Sequence, residues 1–367
     1  MSVLVTGANG FIGKNLIIHL NEKGIKSIPF TRGMSFSGLS SLLGSVDFIF
    51  HLAGVNRPKN DLEFIQGNKE VTEQLCDLIR QSGRSIPILY TSTIQAEFNT
   101  FYGRSKLAAE DVLLDYGRDT KSPVYIYRLP NTFGKWSRPN YNSVVATFCH
   151  SIANDIPINV NDANRLINLV YIDDLIKDFI RLLDEQPSGI LRPEILPLYT
   201  ISIGGLAECI KSFKTSRLSL LAERVGVGLE RALYATYLSF ISPDNFSYPI
   251  PSHSDSRGRF VEMLKTKDSG QFSFFTAHPG VTRGGHYHHS KNEKFLVVQG
   301  KSRFCFRNIL TNESYEIFTD AEFPQIVETV PGWAHDITNI GDNEMIVLIW
   351  ANEIFDCKTP DTISHKV

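Results

Sequence analysis

The sequence predicts two domains of different class: a doubly wound α/β domain built on a parallel sheet over residues 1–245, and an all-β domain over residues 246–367. Three observations carry the prediction. The chain opens on a strand–glycine–helix turn, with Gly7, Gly10 and Gly13 following Val3-Leu-Val5. Apolar strands then alternate with segments of helical periodicity, the pattern of parallel-sheet folds. Beyond Pro251 the texture changes to short alternating segments separated by Gly, Asp and Asn, and seven of the ten histidines lie there. That uneven distribution points to two chemistries in one polypeptide.

Val3, Leu4 and Val5 form an apolar run without polar alternation, as a strand buried on both faces requires. Gly7 permits a tight turn, Gly10 lets backbone approach a pyrophosphate, and Gly13 lets helix and strand pack closely. The helix that begins at Phe11 and Ile12 offers free N–H groups and a positive dipole end to phosphate. This is a Rossmann-type dinucleotide turn, and Gly7, Gly10, Phe11, Ile12 and Gly13 are its candidate cofactor-binding residues. Lys26–Arg32 reads as the second strand. An NAD-specific fold would place Asp or Glu at its end; here stand Thr31 and Arg32, with Lys14 nearby, and cations suit the 2′-phosphate of NADP(H).

Val46–Ala53 is a third buried strand running into Gly54, so backbone at Ala53 and Gly54 is expected to line the cofactor. Phe64 to Ser82 reads as a long helix with Val71, Leu75, Leu78 and Ile79 on its apolar side; Asn68 within it needs hydrogen-bond partners. Ile86–Thr93 is a strand with hydroxyl residues at its carboxyl end, where open α/β sheets bind their ligands. Tyr102-Gly-Arg-Ser-Lys106 starts the next helix, and the i, i+4 spacing puts Tyr102 and Lys106 on one face. An ammonium beside a phenol favours the phenolate and is expected to bring its pKa toward working pH. Residues 176–240 read as a helical continuation, and Ser242–Ser252, with three prolines, as the connection between domains.

The totals exclude several function classes. A net charge of −2 over 367 residues gives no basic footprint for nucleic acid. The five cysteines lie far apart with no CxxC pair, which reads as reduced, buried thiols. No signal-peptide pattern precedes the first strand and no apolar stretch reaches membrane-span length, so a cytoplasmic protein without a membrane partner is expected.

In the second domain Arg259–Lys265, Gln271–Phe275, Lys294–Val298, Ser302–Phe306 and Met345–Trp350 read as strands. His286-Tyr-His288 on a strand points both imidazoles to one face, and Glu293 at the start of the next strand can add an oxygen ligand. Pro331-Gly-Trp-Ala-His335 can supply a third histidine. Three nitrogens and a carboxylate suit a borderline divalent ion with a position left for water or substrate, zinc being the first choice among Zn, Ni, Mn and Fe.

TGANGFIG (6–13), HLAG (51–54), Thr91-Ser-Thr93 and the Tyr102/Lys106 pair, in this order, resemble the extended, sugar-nucleotide branch of the short-chain dehydrogenase/reductase superfamily. The resemblance implies Thr93 and Tyr102 hydrogen-bonding a reacting carbonyl, with Tyr102 as proton donor. It implies Lys106 on the nicotinamide ribose and Asn68 supporting the proton relay. Arg128-Leu-Pro-Asn-Thr-Phe-Gly134 resembles that branch's segment beside nicotinamide and substrate, with Asn131 as substrate contact, and Val170–Leu175 resembles its return to the core. The branch usually carries an arginine for the diphosphate where this chain has Ile167; Lys135, Arg138 and Arg165 are the replacements nearest in sequence.

Residues Gly280 to Gly300 and Pro331 to Asn339 match the two motifs of the cupin superfamily, a double-stranded β-helix, which implies His286, His288, Glu293 and His335 as metal ligands. Arg283-Gly-Gly-His286 also resembles metal-free cupin epimerases, with Arg283 on substrate and His286 as base. The fusion as a whole resembles the CapF-like family of bifunctional capsular-polysaccharide and O-antigen enzymes, through HLAGVNRP (51–58), GKWSRPNYNSVVATFC (134–149), FSYP (246–249) and NEKFLVV (292–298). That family implies C3 epimerisation of a UDP-2-acetamido-2,6-dideoxy-hexos-4-ulose by the cupin domain. It then implies C4 reduction with NADPH to UDP-N-acetyl-6-deoxy-L-talosamine, in a homodimer. His289, Lys294, Tyr287 and His286 are candidate bases at C3. One alternative keeps only the reductase, with the cupin as a structural or sugar-binding module. A dehydratase is disfavoured, because Ile94 and Gln95 follow Thr93 where that chemistry needs an acid.

Overall fold

In a computed structural model the chain forms two compact units, residues 1–210 with 232–241, and residues 211–231 with 242–367. The structure describes all residues except Asn142, Pro243, Asp244, Phe246, Ser247, Pro249, Ser252, His289, Ser290, Asn292, Leu310, 330–332 and Thr359, and omits the side chain of Ser37. Much of the proline-rich connection Ser242–Ser252, and His289, thus lie outside the described residues.

The first unit begins with β1 (Ser2–Thr6), α1 (Phe11–Glu22) and β2 (Lys26–Phe30). A short α2 (Phe36–Leu42) leads to β3 (Phe48–His51). The expected long helix is in three parts: α3 (Leu62–Phe64), a π-helical turn Ile65–Glu70, and α4 (Val71–Gln81). Asn68 lies in the π turn, a local widening that recurs at functional positions. β4 (Ile88–Thr93), α5 (Phe101–Thr120), β5 (Val124–Leu129), β6 (Asn131–Phe133), α6 (Val144–Ala153), β7 (Leu166–Tyr171) and α7 (Ile172–Glu185) follow.

With β8 (Ile190–Leu191), the main sheet runs β2-β1-β3-β4-β5-β8, every pair parallel. The order reverses between β1 and β3, and ligands of such sheets bind outside the carboxyl ends at that reversal. Leu4, Ile49, Ile88 and Ile126 pack one sheet face against Leu75 and Ile79 of α4 and Leu113 of α5. β6, β7 and β9 (Tyr199–Ser202) make a separate small sheet.

Residues 176–240 are not continuously helical. β8 and β9 interrupt them, because Gly189 sits at φ +92 and Pro193 and Pro197 cannot donate to a helix ladder. A third short strand, β10 (Leu221–Ala222), pairs in parallel with β12 (Gly258–Thr266), a long-range partner that ties residues 211–231 to the second unit.

The second unit is all-β. One sheet runs β10-β12-β13-β20-β15-β18, with β11 (His253–Asp255) on β12 and with β13 (Gly270–Ala277), β15 (Glu293–Gln299), β18 (Ile326–Glu328) and β20 (Met345–Ala351). The other runs β17-β16-β19-β14-β21, from β14 (Thr282–Tyr287), β16 (Lys301–Asn308), β17 (Ser314–Asp320), β19 (Trp333–Asn339) and β21 (Ile363–Ser364). Phe275, Phe295, Val297 and Val347 of the first sheet meet Phe304, Phe306 and Ile337 of the second in one core. Among the described residues no helix is long and apolar enough to cross a membrane.

Candidate functional site

The glycine turn is fixed by close approach. Gly7 has φ +68, and a Cβ there would lie 2.7 Å from the Ala53 nitrogen; a Cβ on Gly13 would lie 2.4 Å from the Gly7 oxygen. Only hydrogen fits, so β1, the end of β3 and the start of α1 close against one another. Two cavities open from this turn. The larger, about 930 Å³, is lined by Gly10, Gly13 and Gly54 at one end and by Thr93, Tyr102 and Asn131 further along. The smaller, about 540 Å³, is lined by Gly7, Ala53, Lys14, Thr31, Arg32 and Arg138. Neither lining contains an aspartate or glutamate among the described residues.

Thr93 ends β4 and Tyr102 begins α5, and the Thr93 hydroxyl lies close enough to the Tyr102 phenol to act on its ionisation. Burial holds the Tyr102 phenol above its usual pKa of 10, while the Thr93 contact pulls the other way. The phenol therefore stays protonated at neutral pH, the form a proton donor needs. Lys106, one turn on, is 4% exposed. Its ammonium donates to the Thr91 carbonyl at 2.7 Å and lies 4.2 Å from the Tyr90 ring centroid. The expected lowering of the tyrosine by this ammonium is not found: burial raises the phenol, and the influence that lowers it comes from Thr93. Burial also pushes Lys106 itself down to about 7, with the Glu110 carboxylate opposing.

Asn68 is 1% exposed and has the partners its burial demands. Its Nδ2 donates to the Val55 carbonyl at 3.0 Å and to Ser105 Oγ at 2.9 Å, while its Oδ1 accepts from the Val55 N–H at 2.9 Å. Ser105 in turn donates to the Tyr102 carbonyl at 2.8 Å. Upstream, Thr72 Oγ1 donates to the Asn68 carbonyl at 2.7 Å and meets His51 Nε2 at 2.8 Å; His51 Nδ1 meets Thr6 Oγ1, also at 2.8 Å. A continuous buried network thus joins the glycine turn to the helix carrying Tyr102. Burial, aided by the nearby Lys106 ammonium, drops His51 to about 3, so it is a neutral link.

The diphosphate candidates separate. Lys135 is ion-paired with Asp173, Arg138 lines the smaller cavity, and Arg165 lines neither cavity. Asn131 lines the larger cavity and donates to the Asn168 carbonyl at 3.3 Å.

In the second unit His286 of β14 pairs in register with His335 of β19, and a bulge between Gly284 and His286 accommodates the turn of the strand. Their ring centroids are 4.7 Å apart, and His288 lies 5.0 Å from His286 and 5.2 Å from His335. Glu293 faces them from β15 of the other sheet; one ligand atom from each of the four residues lies within 4.8 Å of every other. Glu293 Oε2 is 3.2 Å from His288 Nε2 and 3.5 Å from His335 Nε2. His335 is 3% exposed, and its Nδ1 has no hydrogen-bond partner among the described residues. Burial and the neighbouring histidines push His286 down to about 4, and the carboxyl of Glu293 is held far below its usual range by its histidine and lysine neighbours. Three imidazoles, one of them with an orphaned ring nitrogen, and one carboxylate form a donor set that fits a divalent cation.

Of the other candidates here, Tyr287 and Lys294 sit on the strand positions that alternate away from His286 and Glu293. Arg283 is three residues before His286 and donates to the Thr276 carbonyl at 2.9 Å, with its guanidinium 4.9 Å from the Phe275 ring centroid.

The family model described as NAD dependent epimerase/dehydratase family matches residues 3–191. The chain belongs to this family. A second model, the polysaccharide biosynthesis C-terminal domain, matches residues 253–363. A Pseudomonas aeruginosa protein named UDP-2-acetamido-2,6-beta-L-arabino-hexul-4-ose reductase is 61% identical over 100% of this chain and 99% of its own. The crystal structure of the capsular polysaccharide assembling protein CapF from Staphylococcus aureus, 40% identical, superposes with a TM-score of 0.91 over 100% of both chains. The UDP-glucuronic acid 4-epimerase of Bacillus cereus in complex with NAD shares the fold of the first part alone, at 19% identity and a TM-score of 0.55 over 65% of this chain.

Within this family member several residues around the sites carry no motif and escape sequence reading. Glu110, with a fully buried carboxylate, accepts from Ser92 Oγ at 2.5 Å, from Arg128 at 2.8 Å and 3.0 Å, and from Arg192 at 3.2 Å. Arg128 also reaches Glu97, between Thr93 and Tyr102, at 3.0 Å. The available signal was spacing alone: Glu110 is one turn beyond Lys106 on the same helix face. Glu110→Gln is expected to lower unfolding free energy by about 2–3 kcal/mol in urea titrations, the partial exposure of Arg128 and Arg192 keeping it below a fully enclosed pair. Lys291, ion-paired to Glu293 at 2.9 Å and 8% exposed, was equally unmarked.

Proposed function

We propose that the chain is a bifunctional nucleotide-sugar enzyme. Residues 1–245 act as an NADPH-dependent C4 reductase, and residues 246–367 as a cupin-fold C3 epimerase. The substrate is a UDP-2-acetamido-2,6-dideoxy-hexos-4-ulose, and the product is UDP-N-acetyl-6-deoxy-L-talosamine for capsule or O-antigen synthesis. The observation that carries the reading is the juxtaposed Thr93–Tyr102 pair on a cavity whose lining holds no carboxylate among the described residues, in a chain that also gathers His286, His288, His335 and Glu293. The name of the Pseudomonas relative supports the substrate class. The same reading expects a cytoplasmic homodimer with no nucleic-acid or membrane partner.

At C4, the Thr93 and Tyr102 hydroxyls donate hydrogen bonds to the ketone oxygen, and Tyr102 passes its proton to that oxygen as it becomes an alcohol. Asn68, through Ser105 and the Val55 backbone, holds the helix turn that orients the phenol. Gly7, Gly10, Phe11, Ile12, Gly13, Ala53, Gly54 and Lys106 would hold NADPH, which when bound supplies the hydride. Lys14, Arg32 and Arg138 on the smaller cavity suit its 2′-phosphate. Arg32→Ala is expected to raise KM for NADPH by roughly 10–100-fold, the worth of a charge-assisted phosphate contact, and to leave KM for NADH unchanged in steady-state assays.

At C3, the 4-keto group acidifies the adjacent proton. His286, His288, Glu293 and His335 would hold a divalent ion, first choice zinc, which when bound supplies positive charge to the developing enolate oxygen. Arg283 is the candidate contact to substrate. Tyr287 and Lys294 stand on strand positions that alternate away from the cluster and His289 lies outside the described residues; His286 can serve as the base only in a metal-free site, where its ring is not a ligand. Epimerisation needs the ketone and reduction removes it, so the second step fixes the first.

The test is product analysis with the UDP-4-keto sugar and NADPH. The reading predicts one NADPH oxidised per sugar consumed and a product inverted at C3. Turnover without net NADPH consumption would contradict the reductase, and a reduced product with C3 retained would leave the all-β unit as a structural or sugar-binding module.

A further inference from the structure

We propose that Arg57 binds the diphosphate of the nucleotide-sugar substrate; this rests on the reading of the larger cavity as the nucleotide-sugar site. A diphosphate needs a cation or several N–H donors, and the planar guanidinium fork fits two of its oxygens at once. Among the described residues lining the larger cavity there are two cations, Lys106 and Arg57, and no carboxylate. Lys106 is buried, with its ammonium on the Thr91 carbonyl and the Tyr90 ring, on the Tyr102 side of the cavity.

Arg57 is different in every respect. It follows the end of β3, is exposed, and is steadied at one nitrogen by donating to the Asn140 carbonyl at 2.5 Å. Its guanidinium carbon lies 5.6 Å from the centroid of the Tyr141 ring, a side chain that itself lines both cavities. A guanidinium has five N–H donors, and this one makes no other hydrogen bond among the described residues. It is therefore held in position with most of its donors uncommitted.

The competing cations are accounted for elsewhere. Lys135 is paired with Asp173. Arg138 stands with Lys14 and Arg32 on the smaller cavity. Arg165 lines neither. Because the described lining residues include no carboxylate, none of them neutralises the charge of Arg57, and an anionic ligand meets a net positive wall.

The experiment uses the full-length protein and two commercial probes, UDP and uridine, titrated by calorimetry against wild type, Arg57→Gln and Arg57→Lys. The expected result is a roughly 10–100-fold loss of UDP affinity in Arg57→Gln, with uridine binding and NADPH binding unchanged. Arg57→Lys, which keeps the charge and loses the fork, should fall between. In turnover, KM for the UDP-4-keto sugar rises by the same factor while KM for NADPH holds. Wild-type UDP affinity in Arg57→Gln overturns the proposal, as does an equal loss for UDP and uridine. A wild-type protein that binds NADPH but neither UDP nor the keto sugar would instead sink the reading of the cavity on which the proposal rests.

Discussion

Tyr102→Phe is expected to lower kcat for C4 reduction by roughly 10²–10⁴-fold while leaving cofactor binding intact. The phenol is the side chain on this cavity whose O–H both touches Thr93 and remains protonated through the neutral range. Phenylalanine keeps the ring and its packing 5.6 Å from Phe64, so the variant removes the proton and little else. The loss should appear in kcat, because the hydrogen bond strengthens as the ketone oxygen gains negative charge. Stopped-flow measurement of NADPH oxidation, with fluorescence titration of NADPH as the control, separates the two. A change in NADPH affinity without a change in the chemical step would move Tyr102 from proton donor to cofactor ligand. Exchange of deuterium at C3 should be untouched, because that chemistry belongs to the other cluster.

His335→Ala is the second large expected effect. Its Nδ1 is buried without a partner among the described residues, and its Nε2 faces Glu293 at 3.5 Å, so the ring has a place in the cluster that those hydrogen bonds do not explain. Loss of one of four ligands is expected to lower bound metal below one equivalent by elemental analysis, and to slow C3 exchange by roughly 10²-fold or more. Chelator-treated wild type should show the same loss, restored by adding back zinc or another divalent ion. Both preparations should still reduce a keto sugar already inverted at C3. If exchange persists in metal-free protein, the metal-free reading gains, with His286 as base beside Arg283, and His286→Gln should then abolish exchange where His335→Ala does not.

Much of this was legible in the chain because the physics that encodes it is local. Gly7 and Gly13 announce their turn because backbone atoms approach within distances that a Cβ cannot occupy, and Gly10 because a Cβ there would press on the Gly7 oxygen at 3.0 Å. Thr93, Tyr102 and Lys106 lie near strand and helix ends that apolar runs mark, and His286 and Glu293 sit on strands whose alternation fixes their faces, while His288, expected on the same strand as His286, falls just past its end. What stayed hidden depends on long-range partners. The helix over 64–82 hides a π turn at Asn68, whose side chain is claimed by Val55 and Ser105. Glu110 reads as one more polar residue of an amphipathic helix until Arg128 and Ser92 arrive from neighbouring strands. The segment 176–240 lost its helical reading to strand pairings such as Leu221 with Lys265, set by residues more than forty positions away. The pKa of Tyr102 failed in the same way: spacing put a lysine beside it, but packing directs the ammonium to Thr91 and buries the phenol.

The central claim is that two reactions occur in succession in one chain, inversion at C3 and then reduction at C4. It is tested most directly by incubating the full-length, metal-loaded protein with the UDP-4-keto sugar in D2O without NADPH, and following the C3 proton by NMR. The account predicts that the C3 signal disappears as deuterium enters and that an inverted 4-keto sugar accumulates. Adding NADPH should then drain it to a reduced product carrying deuterium at C3. A C3 proton that persists, in a preparation that oxidises NADPH with the inverted sugar, would contradict the account and leave a reductase joined to a non-catalytic β domain.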